Sequence, residues 1–66
     1  MNGQVLAQNM SRMFSERMRL GMTRKDTATA AKVSERAIRK YEEGTSYPTK
    51  YTYNRLAELF SWEVWE

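Results

Sequence analysis

Sixty-six residues make one domain at most, and a chain this short buries a smaller share of its surface than larger domains do. It has no cysteine and no histidine, which removes disulfides, the thiol nucleophile, the usual neutral-pH general base and the commonest metal ligands, and with them most enzyme classes. The formal charge of +3 is mild but uneven: basic residues gather between 22 and 50, whereas 51–66 is acidic and aromatic, so a polyanion-binding surface is expected in the middle of the chain. The longest uncharged stretch, Met1 to Ser11, carries four Asn or Gln and is too short and too polar for a membrane span or a signal peptide. The expectation is a soluble protein of a reducing cytoplasm with no metal, cofactor or small-molecule ligand and no contact with a membrane.

Met10, Met13, Phe14, Met18 and Leu20 recur at three- and four-residue spacing and predict a helix from about Gln4 to Leu20, stopped by Gly21. Thr23 caps a second helix, Arg24 to Ala31 or Lys32, with Asp26 completing an approximate capping box. Its inner face is Thr27, Ala28 and Ala31, small enough to let another helix axis come close. Ser34 has the character of the next N-cap and Glu35 suits the positive end of a helix dipole. The third helix then occupies 34–43, with Ala37, Ile38 and Tyr41 inward, until Gly44 ends it. After a loop from Thr45 to Thr49, a fourth helix aligns Tyr53, Leu56, Ala57 and Phe60, and residues 61–66 form a last turn. No alternation of strand type occurs, so the fold class is all-α, a compact bundle of four to five short helices in a single domain over 1–66.

Two short helices joined by a tight turn, the first small inside and the second carrying Arg36, Arg39 and Lys40 outside, describe a helix-turn-helix unit over about 23–43. The run Gly21-Met22-Thr23-Arg24-Lys25-Asp26-Thr27-Ala28-Thr29-Ala30-Ala31-Lys32-Val33-Ser34, followed by Ile38, Tyr41-Glu42 and Gly44, resembles the phage Cro and CI repressor (XRE-type) family of helix-turn-helix domains. Pro48 and Leu56-Ala57 extend the likeness to roughly residues 10–62. Three positions depart from the family pattern: Thr27 stands where a leucine is usual, Arg24 where glutamine is frequent, and Lys32 where glycine is frequent.

The resemblance implies a sequence-specific regulator that reads the major groove of double-stranded DNA with helix 34–43. It places Arg24 against a phosphate, as a guanidinium beside the free N–H groups of a helix start is suited to do. Thr23, Ser34, Thr45, Ser46, Tyr47 and Lys50 are the further phosphate contacts, which set register without reading sequence. Glu35, Arg36, Arg39 and Lys40 take the base-reading positions. Arg36 is the choice for bidentate contact with guanine, worth about 1–3 kcal/mol of discrimination. Glu35 either accepts from a cytosine amino group or holds Arg39 through an i, i+4 pair worth about 0.3–0.5 kcal/mol. The resemblance also pairs Arg17 with Glu42. The plainer reading of helix 34–43 is a solvated face, since Glu35, Glu42 and Glu43 balance Arg36, Arg39 and Lys40 in number.

Phe60, Trp62, Val64 and Trp65 are too apolar for a fully solvated end. Either they build the two-fold homodimer interface that the family commonly uses, setting two reading helices about 34–36 Å apart, or they are core between the first and fourth helices. The setting implied is a phage, prophage or bacterial switch. The alternative function keeps the fold but acts by protein contact, as a modulator of a repressor.

Overall fold

Four helices and no strand make up the computed structural model, which describes residues 1–66: α1 Gly3–Arg19, α2 Arg24–Ala31, α3 Glu35–Glu43 and α4 Lys50–Phe60. Each begins at an extended residue whose side chain accepts from its own first turn: Asn2 from Val5, Thr23 from Asp26, Ser34 from Ala37 and Thr49 from Thr52. At Thr23 the box is reciprocal, because Asp26 in turn accepts from the Thr23 backbone at 3.0 Å. No helix is long and apolar enough to cross a membrane.

The ends divide into two kinds. Gly21 and Gly44 take positive φ at no steric cost, but Lys32 and Ser61 hold the same left-handed conformation with a side chain attached. At Lys32 the turn between α2 and α3 is therefore strained, and Lys32→Gly is expected to stabilise the fold by about 0.5 kcal/mol. That figure is the relief of the left-handed backbone less the added freedom of glycine in the unfolded chain. Urea unfolding followed by circular dichroism checks it, and a loss of stability would show that the turn carries no strain.

Packing centres on Ile38, Tyr53, Leu56, Met10 and Met13, all sealed from solvent, with Ala28, Ala31, Ala57, Phe60, Tyr41 and Trp62 around them. Thr27, expected on the inner face of α2, is also fully buried, and its hydroxyl donates to the Thr23 carbonyl one turn back at 3.0 Å. A threonine replaces a leucine there without leaving an orphan polar group. α2 packs on α3 and on α4, and α1 packs on α3. At the far end of α2, the Arg55 guanidinium donates twice to the Ala30 carbonyl, satisfying an acceptor that the helix leaves unpaired.

Two expectations need correction. The buried stripe of α1 is Asn9, Met10, Met13 and Arg17, whereas Phe14, Met18 and Leu20 are exposed. The inward face is rotated because α1 turns Asn9 and Arg17 toward partners on α4 and α3. Asn9 donates to the Tyr53 hydroxyl at 2.8 Å.

The tail is not a helical turn. Ser61 reverses the chain at φ 60°, Trp62 N–H donates to the Ala57 carbonyl at 2.9 Å, and the remainder has no regular secondary structure. It is fastened by side chains of α4: Tyr53 donates to the Glu63 carbonyl at 2.7 Å, and Asn54 both donates to and accepts from the Trp65 backbone at 2.8 Å. Of the four residues offered as an interface, Phe60 and Trp62 are buried within the protomer, Trp65 is half-buried, and Val64 alone is exposed. The core alternative thus describes Phe60 and Trp62.

Candidate nucleic-acid interface

Ile38 and Tyr41 pin α3 to the core, and Ala37 sits half-buried beside them. With that face fixed, the 3.6-residue period turns Glu35, Arg36, Arg39, Lys40 and Glu43 to solvent. The helix is about 13 Å long from its nine residues, comparable with the width of about 12 Å of a B-DNA major groove. None of Glu35, Arg36, Arg39 and Lys40 joins an ion pair. The i, i+4 pairing of Glu35 with Arg39 is therefore absent, and both side chains stand free.

Glu42 is the third acid of α3, and it does not belong to the exposed set. Its side chain is 6% exposed and accepts from Arg17 Nε at 2.6 Å and Arg17 Nη2 at 3.3 Å. Arg17 is itself buried, its Nη1 reaching the Met22 carbonyl at 3.4 Å and its guanidinium lying 4.9 Å from the Phe14 ring centre. Phe14 and Met18, expected in the core, are exposed and instead contact the Arg17 guanidinium. A fork-to-fork pair of this kind is internally compensated. The outer face of α3 consequently carries Arg36, Arg39 and Lys40 against Glu35 and Glu43 alone.

Arg24, at the first position of α2, donates through Nε to Glu42 Oε1 at 3.3 Å. It also borders an open depression of about 400 Å³, lined only by charged residues and shared with Glu35, Arg36 and Arg39. The fold thus brings the start of α2 and the start of α3 to one surface with three guanidinium groups around one carboxylate. Lys25 stands exposed next to Arg24 and adds a cation that the sequence reading passed over; its adjacency to Arg24 was the available signal.

The remaining expected contacts differ in what they have free. Thr23 and Ser34 use an oxygen lone pair to accept from Asp26 and Ala37, which leaves each hydroxyl hydrogen to be donated. Thr45 donates its hydroxyl to the Lys40 carbonyl at 3.3 Å and so closes the end of α3. Ser46 is half-buried, while Tyr47 and Lys50 are exposed. Asp26 is an opposing charge at the start of α2; the Thr23 backbone N–H that donates to it, with Lys25 nearby, lowers its pKa from the ordinary 3.8, so it stays ionised at neutral pH.

A family model described as helix-turn-helix matches residues 14–61, which takes in α2 and α3 whole, the loop and α4. No curated protein and no solved structure matches the chain.

Proposed function

Since the chain belongs to the Cro- and CI-repressor-like (XRE-type) helix-turn-helix family, we propose that it is a DNA-binding transcriptional regulator that lays α3 in the major groove. The observation that carries this reading is the outer face of α3. Arg36, Arg39 and Lys40 project from a helix anchored by Ile38, with no protein partner to satisfy them, next to the free edge of Arg24. Arg36 takes guanine through its fork. Arg39 and Lys40 read neighbouring edges or the flanking backbone. Glu35, free of Arg39, is available to accept from a cytosine amino group. Arg24, the hydroxyls of Thr23 and Ser34, and Tyr47 and Lys50 hold phosphates. Thr45 and Ser46 contribute to that edge through the shape of their loop.

One protomer reaches one groove. The longest dimension of the fold is 27 Å, less than the roughly 34 Å between successive major grooves on one side of the duplex. A two-fold homodimer on a roughly palindromic site is the arrangement that reads both, acting as a repressor or switch component in a phage, prophage or bacterial circuit.

Selection from random duplex DNA at about 0.15 M salt tests the reading, because non-specific phosphate attraction is then partly screened. A symmetric motif with half-sites about one helical turn apart is the expected result. Arg36→Ala should then lose about 1–3 kcal/mol of preference at one base pair of each half-site while retaining the other positions. If no sequence is enriched and residual binding vanishes steeply with salt, the DNA reading fails. The exposed Phe14, Met18 and Leu20 face would then favour the second reading, a modulator that grips a repressor protein.

A further inference from the structure

Arg17 and Glu42 are sufficient for one another. Each nitrogen of the Arg17 guanidinium has a partner among both Glu42 oxygens, the Met22 carbonyl and the Met18 sulfur, and one buried carboxylate is neutralised by one buried cation. Arg24 is a second cation on the same carboxylate, so the trio carries one surplus positive charge. That surplus resides on the exposed member. Arg24 is attached through Nε alone, and neither of its Nη atoms has a partner in the protein. The guanidinium is planar, so fixing Nε fixes the direction of the Nη pair, and Arg24 borders the same depression as Arg36 and Arg39.

We propose that Glu42 is a positioning residue for DNA contact: it holds Arg24 by Nε so that the two Nη groups meet one backbone phosphate in a preset, bidentate geometry. This rests on the DNA-binding reading above and adds a role for a residue that never touches DNA. It also assigns a consequence to the arginine that stands where glutamine is frequent. A glutamine gives no cation, and a lysine has a single ammonium centre, which the buried carboxylate retains, so it presents no fork to a phosphate as well.

The test compares Arg24→Lys with Arg24→Gln for binding to a short duplex of mixed sequence between about 50 and 200 mM salt. Arg24 is exposed and outside the core, so both variants keep the helical fold. The expected result is that lysine fails like glutamine: each weakens binding about tenfold, the size of a lost charge-assisted hydrogen bond, and each lowers the salt slope by about 0.9, one phosphate contact. Arg24→Lys binding as the wild type, with an unchanged slope, overturns the proposal, because a mobile point charge would then suffice. The free protein supplies a second readout. Arg24 Nε–H should exchange with water more slowly than the unpaired Nε–H groups of Arg36 and Arg39, as seen in nitrogen-15 NMR spectra. Slow exchange in a chain that binds no duplex refutes the DNA reading and the role of Glu42 with it; duplex binding with fast exchange at Arg24 overturns the positioning role alone.

Discussion

Glu42→Ala is expected to cost about 3–5 kcal/mol of folding stability, because it leaves the buried Arg17 guanidinium with no carboxylate. A domain of this length is stabilised by about 3–10 kcal/mol in total, at the usual 0.05–0.15 kcal/mol per residue, so the variant should be mostly unfolded or melt far below the wild type. Urea and thermal unfolding by circular dichroism read this directly. The loss comes from desolvation more than from attraction: the buried cation has given up water and keeps only neutral partners, the Met22 carbonyl, the Met18 sulfur and the Phe14 ring. For that reason the double substitution of Arg17→Met with Glu42→Leu should recover most of what either single change loses, since it removes both charges and restores apolar packing. A single-variant loss below about 1 kcal/mol would match an exposed pair and contradict the burial seen here. The double variant would also leave Arg24 unheld, so it should fold yet bind duplex with the weakness expected of Arg24→Gln.

Trp62→Ala should be comparably damaging, at about 3–5 kcal/mol, although Trp62 lies beyond the last helix. Its ring is 5.0 Å from Phe60 and 6.0 Å from Tyr53, centre to centre, and it closes the core at the end of α4. Val64→Ala, two residues on and exposed, should be within about 0.5 kcal/mol of neutral. The contrast separates the two readings of the aromatic tail. If Trp62 is core, the unfolding midpoint of Trp62→Ala falls equally at every protein concentration; if it holds a dimer together, the deficit shrinks as concentration rises. Trp62 also carries a buried Nε1–H without a partner. Trp62→Phe removes that donor while keeping most of the ring, so it should cost much less than alanine.

Much of the fold was legible in the residues because the signals for it are local. Thr23, Ser34 and Thr49 start helices because each oxygen accepts from a backbone N–H three residues ahead, and Gly21 and Gly44 end them because each must adopt positive φ. The inner faces of α2, α3 and α4 follow from helical period alone. Neither Asn2 as the cap of α1 nor Lys32 as a left-handed turn residue was anticipated. A side chain at Lys32 gives no local sign of that conformation.

The same holds at the candidate site. Which residues of α3 face outward was readable, since Ile38 and Tyr41 set the phase. Which of its charges remain available to a partner was not readable from residue type and spacing; only the family resemblance paired Glu42 with Arg17. Glu35, Glu42 and Glu43 are indistinguishable by type and spacing, yet Glu42 is withdrawn by an arginine 25 positions earlier in the chain. Likewise Phe14 and Met18 satisfy the period of an apolar stripe but lie outside it, because Asn9 and Arg17 claim the inward face through Tyr53 and Glu42. The sequence by itself determined the helices, three of their four N-caps and the cationic character of the reading helix, all of which depend on neighbours within one turn. Only the tertiary structure decided how deeply Glu42 is buried, how Arg24 is aimed and where the aromatic tail goes, because burial of a polar group depends on a partner that local sequence does not supply.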